Sequence, residues 1–139
     1  MELKVLFADQ FTVAAASIGG VCEAEAFIAD GESSYESSRE GLVVLLDRVA
    51  SSGLQALSSK HYHKANTNDR YTVYEFIKGD LRLFFFKGSG GVLIVCTTGV
   101  IKKGQRADKR AVSEAVELQK NYLMAVQNGN IKWIDAEES

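Results

Sequence analysis

With 139 residues, 46% hydrophobic and 24% charged, the chain is sized for one globular domain, 1–139, that can bury a real core. Its longest apolar runs, Leu42 to Leu46 and Leu81 to Phe86 with Arg82 inside, are far too short to cross a bilayer. Two cysteines, Cys22 and Cys96, exclude a disulfide scaffold and a cysteine-built zinc site. The net charge of −2 conceals a polarity: 1–59 holds 3 basic and 9 acidic residues, 60–134 holds 13 and 6, and the short tail 135–139 is acidic. One part of the molecule can therefore present a positive face. Met1-Glu2-Leu3-Lys4 lacks the charged-then-apolar layout of a secretion signal, which together with the free thiols predicts a reducing, cytoplasmic setting.

In chain order, Leu3, Val5 and Phe7 alternate with Lys4, which predicts a first strand over Leu3 to Phe7. Thr12 to Ile18 either extends it or forms a second strand. Gly19-Gly20 breaks the chain, and Cys22 to Ala29 suits a short helix closed by Asp30-Gly31. Ser33 with Glu36, or Ser37 with Glu40, has the spacing of a capping box, and Leu42, Leu45, Leu46 and Val49 then form one apolar stripe of a helix that stops at Gly53. Ser58 to Arg70 reads as polar and irregular.

Tyr71 to Ile77 reads as a strand, and Lys78-Gly79-Asp80 turns it into a second, Leu81 to Phe86. Lys87-Gly88-Ser89-Gly90-Gly91 feeds a third, Val92 to Val100, and loops this short make neighbouring strands antiparallel. Val92 to Cys96 is apolar at every position, as in a central strand covered on both faces. Asp108 can cap a last helix to about Gln127, with a stripe of Val112, Ala115, Val116, Leu123 and Val126 and a stop at Asn128-Gly129; Ile131 to Ile134 can pack back. The layout predicts an α+β fold, a small twisted, mainly antiparallel sheet covered mainly on one face by helices.

The segment Tyr74 to Leu123 carries Tyr74-Glu75 on one strand and Arg82 on the next. Gly99, Lys102-Lys103 and Gln105 follow the third strand, and Ala115 and Tyr122-Leu123 lie on the helix behind them. In this it resembles the RelE/HigB toxins of bacterial toxin–antitoxin pairs, most closely the phage-derived RelE-like branch; the N-terminal part matches more loosely. The resemblance implies a RelE-like α+β domain and a ribosome-dependent endoribonuclease that cuts translated mRNA. It also implies a cognate antitoxin, expected to be a helix-turn-helix protein, and neither cofactor nor membrane. The same fold includes gyrase inhibitors that cut nothing, so a non-catalytic binding module, a gyrase inhibitor or a decayed toxin that only binds its antitoxin, is the alternative.

Cleaving RNA through its own 2′-hydroxyl needs a base for the hydroxyl proton, donors for the phosphorane charge and an acid for the leaving oxygen. Arg82 on a sheet face offers a rigid fork to phosphate, and one of Lys102 and Lys103, at the exit of the neighbouring strand, can reach the same face. Clustered lysines depress one another's proton affinity, which lets one serve as base. Arg106, Lys109 and Arg110 read as contacts to an RNA backbone, and Tyr71 or Tyr74 as a base-stacking ring. Against this, Arg82 can instead pair with Glu75 across the hairpin, as a structural ion pair. His61 and His63 alternate as metal ligands do, but Asp69 is the only nearby third ligand, so no metal is expected. With Lys60 and Lys64 that segment reads as surface or as an RNA contact. Gly88 to Gly91 feeds a strand, not a helix N-terminus, and so is no phosphate loop. Cys96 reads as an inert core thiol.

Overall fold

The computed structural model describes residues 1–29, 33–68, 70–102 and 107–134. Along the chain, strands β1 (Glu2–Ala8) and β2 (Thr12–Ser17) precede helices α1 (Glu23–Ala29) and α2 (Glu36–Ser52). Strands β3 (Tyr62–Lys64), β4 (Tyr74–Lys78), β5 (Leu81–Lys87) and β6 (Leu93–Ile101) follow, then helix α3 (Lys109–Asn128) and strand β7 (Lys132–Ile134). The seven strands make one sheet in the order β3-β4-β5-β6-β2-β1-β7. The meander β3 to β6 and the hairpin β1–β2 are antiparallel, while β2–β6 and β1–β7 are parallel. The chain is thus α+β with a mainly antiparallel sheet packed against helices.

The sheet is covered on both faces, not mainly on one. Val13 and Ala15 of β2, Leu83 and Phe85 of β5, and Ile94 and Cys96 of β6 pack with Leu42, Leu46 and Val49 of α2. Their neighbours in sequence point the other way. Ala14, Ala16, Phe86 and Val95 meet Tyr122 of α3, and Phe84 meets Ala111 and Ala115. Runs such as Val13-Ala14-Ala15-Ala16 and Leu83-Phe84-Phe85-Phe86 are apolar at every position, so both sides of these strands need cover. The buried side of α3 is Ala111, Ala115, Tyr122 and Ala125, with Val112 and Val116 packed against it; of the expected stripe, only Leu123 and Val126 stay exposed. Alanine is small enough to let the helix axis approach a sheet already crowded with phenylalanines.

Three local expectations shift. Residues 58–70 are not wholly irregular, because β3 lies among them. The strand expected from Tyr71 starts only at Tyr74, since Asn66 and Asn68 tie the chain before it into turns. Tyr35 holds the cap position of α2 with no side-chain cap bond, while Gly53 ends that helix as expected, its N–H donating to Val49 O. Asp108 caps α3 by accepting from Ala111 N at 2.9 Å, and Gly129 closes it in the left-handed conformation at φ 70°.

Gly99 marks where α1 lies closest to the sheet, because a Cβ there would overlap the ring of Phe27. Gly99→Ala is expected to cost about 1–3 kcal/mol through this overlap, read as a lowered thermal midpoint. Adding Phe27→Ala should cost less than the two single changes together, because the truncated side chain makes room for the methyl group.

Candidate functional site

The end of the sheet where β4 turns into β5 gathers the charged side chains. Pairing of β3 with β4 sets His63 opposite Glu75, and pairing of β4 with β5 sets Glu75 opposite Phe84 and Ile77 opposite Arg82. Residues directly opposed share a face, so His63, Glu75 and Arg82 all lie on the α3 side, Arg82 diagonal to Glu75.

Glu75 is almost wholly buried, with its side chain 3% exposed. Arg82 Nε stands 3.5 Å from Glu75 Oε1, and Arg82 Nη1 donates to the carbonyls of Gly79 at 2.7 Å and Leu81 at 3.0 Å. The other carboxylate oxygen, Oε2, has no hydrogen-bond partner among the described residues, and His63 Nε2 stands 3.4 Å from it. The His63 side chain is 45% exposed. A buried acceptor without a donor is costly, so this carboxylate favours the orientation in which the imidazole N–H points at it. The result is a half-exposed imidazole backed by a buried carboxylate, with a guanidinium holding that carboxylate in place.

Lys102 joins this face through an irregularity in β6. Leu93 and Val95 point to the α3 side, and strict alternation would continue through Thr97, Gly99 and Ile101. Register slips between Leu83 and Phe85, so that Phe85 pairs with Cys96 but Leu83 with Gly99. Two threonines, Thr97 and Thr98, thus face the single residue Phe84, and Thr97 Oγ1 donates to Phe84 O at 3.2 Å. Beyond this bulge the parity is reversed. Gly99 meets Phe27 of α1, Val100 sits opposite Arg82 and packs with the α3 cluster, and Lys102, two residues on, falls on that same side. Its N–H donates to Asp80 O at 2.7 Å, extending the β5–β6 pairing by one step.

The other expected site residues scatter. Lys64 sits opposite Tyr74, on the face away from His63. Lys60 is exposed in the turn before β3, and Lys109 is exposed at the start of α3. Arg110 is 91% exposed, 3.5 Å from Glu114, and lines a cleft with Glu23 and Asp108. Lys103, Arg106 and Asp69 lie outside the described residues. Tyr74 stacks on Phe85 at 5.3 Å on the α2 side, whereas Tyr71 lies beside Lys120 of α3. Burial pushes the Cys96 thiol up, in keeping with an unreactive core position, and raises Cys22 as well. A groove of about 680 Å³ runs along the other flank of α3, but its apolar floor of Ala16, Ile18 and Val21 is rimmed by Glu23, Glu114 and Glu117. That rim repels a polyanion.

The sequence reading missed the His63–Glu75 pair. The available signal was the alternation in His61-Tyr62-His63-Lys64, where one ring belongs to the core and its neighbours do not. Over three residues that signal is too short to announce a strand. No protein-family model matches the chain, and comparison with curated proteins finds no match.

Arg82→Ala leaves the Glu75 carboxylate buried without its guanidinium and is expected to cost about 3–5 kcal/mol. Replacing both partners, Glu75→Leu with Arg82→Leu, should recover most of that loss. Urea unfolding of the three variants checks this; additive losses would show that the pair is not coupled.

Proposed function

We propose that the chain is a ribosome-dependent endoribonuclease that cleaves translated mRNA through its 2′-hydroxyl, the toxin of a pair of the RelE/HigB kind. The observation that carries this reading is the half-exposed His63 ring set against buried Glu75, on the face that Lys102 shares. His63 takes the 2′-hydroxyl proton, a role for which its imidazole is oriented by Glu75. The freed oxygen attacks phosphorus, the bond to the 5′-oxygen breaks, that oxygen leaves with a proton taken from solvent, and a 2′,3′-cyclic phosphate remains. Lys102, three strands from His63 on the same face, serves as a contact to a neighbouring phosphate rather than to the one under attack. Arg82 acts as a positioning residue through Glu75 rather than as a first donor to phosphate. Lys103 and Arg106 enter this reading by their place in the sequence, as further phosphate contacts, with Lys60, Lys109 and Arg110 as outlying backbone contacts. An antitoxin with a helix-turn-helix domain and an acidic contacting segment would silence the site by covering it.

One observation favours the alternative. The Arg82 guanidinium is engaged by Glu75 and two carbonyls, as in a structural pair, so a binding module without chemistry, such as a gyrase inhibitor, is the second reading.

Primer extension on a translated reporter separates the two. Wild type should cut the translated message and leave an untranslated copy whole. His63→Ala should lower cleavage by about 10²–10⁴-fold, with a thermal midpoint lowered by several degrees through the lost donor to Glu75 Oε2 while the variant stays folded at the assay temperature. Lys109→Ala should weaken ribosome association and flatten its salt dependence. Intact mRNA with reduced DNA supercoiling would give the protein to the gyrase reading.

A further inference from the structure

Tyr71 lies on the α3 side of the sheet, in line with the His63 site. Val73 sits under α3 with Phe84 and Ala111. Ala65 N donates to Val73 O, so the β3–β4 pairing continues past His63 and Glu75 in this direction. From Glu75 to Tyr71 is four residues, roughly 13 Å at strand rise. The ring is flanked by two cations, Arg70 with its guanidinium carbon 5.8 Å from the ring centre and Lys120 with its ammonium 5.3 Å away.

The backbone that carries the ring is well braced. Asn66 Nδ2 donates to Tyr71 O, and Asn66 Oδ1 accepts from Val73 N. Asn68 Oδ1 accepts from the N–H groups of both Arg70 and Tyr71, at 3.0 and 3.1 Å. No core contact of the ring accounts for this bracing, because Tyr71 belongs to none of the three buried apolar clusters. Lys120 also bonds Glu117 at 3.3 Å, but with the side chains 44% and 68% exposed that pair contributes little. A partly exposed aromatic ring with two cations over it suits a nucleobase followed by its phosphates: the base displaces a cation from the π face, and the cations then take the charge.

We propose that Tyr71, framed by Arg70 and Lys120, is a stacking subsite for one unpaired base of single-stranded RNA, one or two nucleotides from the phosphate held at His63. This deepens the ribonuclease reading and rests on it for the choice of ligand. The strand then runs along the seam between β4 and α3, away from the acid-rimmed groove on the other flank of the helix.

The test is fluorescence anisotropy with a labelled 2′-O-methyl RNA 12-mer, which binds but offers no 2′-hydroxyl to attack. Tyr71→Ala should weaken binding by about 5- to 150-fold, the range for loss of one base–aromatic stack. Tyr71→Phe should bind like wild type, and Lys120→Ala should flatten the salt dependence. A series of oligonucleotides with one abasic position moved along the strand should contain one position at which wild type and Tyr71→Ala bind equally. The readout is binding of an RNA that offers no 2′-hydroxyl, so a failure of the catalytic assignment leaves this result untouched. Equal binding by wild type and Tyr71→Ala, the absence of any such abasic position, or no binding by wild type at all would each overturn the subsite.

Discussion

One carboxylate sets the terms for a whole end of the sheet. Glu75 is buried, and a buried charge survives only where its neighbours answer it. Arg82 does so from the next strand and is itself anchored to the Gly79 and Leu81 carbonyls. His63 answers from the other side, on a strand of three residues held by Ile77 N to His61 O and Ala65 N to Val73 O. The register of β3 therefore matters more than its length suggests. A slip of one residue would turn His63 away and bring Tyr62 or Lys64 to the carboxylate. The histidine owes its position to the carboxylate, and the carboxylate owes its tolerance to the arginine.

The bulge in β6 is the second determinant. It lets one strand serve two layers with opposite parity. Before it, Val95 meets α3 and Cys96 meets α2; after it, Val100 and Lys102 face α3 and Gly99 faces α1. The smallest residue stands where α1 presses hardest, and the lysine stands beside Arg82. Bulges of this kind re-aim side chains near the ends of sheets, and here one displaced residue puts Lys102 on the same face as the histidine.

The sequence carried the elements whose signals are long or chemically specific. The meander declared itself through Lys78-Gly79-Asp80 and the glycine-rich turn before Val92. The last helix declared itself through Asp108 and Gly129, and the central strand through its unbroken apolar run. Less legible was everything set by parity and by short pairings. Periodicity cannot reveal a bulge between two threonines, so the side on which Lys102 falls could not be read from the sequence. A three-residue strand has too few residues to show alternation, which hid the His63–Glu75 pair. Tyr74-Glu75 and Arg82 could be picked out from the pattern, but their spacing does not say whether the arginine faces a ligand or a carboxylate. The two-sided cover was written in Ala14 to Ala16 and Phe84 to Phe86, as doubly apolar strands.

The parallel pairing of β2 with β6 has a consequence for synthesis. Thr12 to Ala15 match Leu93 to Cys96, so the first hairpin leaves the ribosome long before the strand it must lie against. At about 5–20 residues per second, its inner edge stays unpaired for roughly 4–16 s. That edge is Val13-Ala14-Ala15-Ala16, short, uncharged and apolar on both faces, the type of segment that pairs with strangers. The small side chains limit how strongly such a mispaired edge can hold. The native sheet, and with it the shared face of His63, Glu75 and Lys102, comes together only after β6 has emerged. A nascent chain of this protein therefore carries an incomplete sheet until β6 has been made.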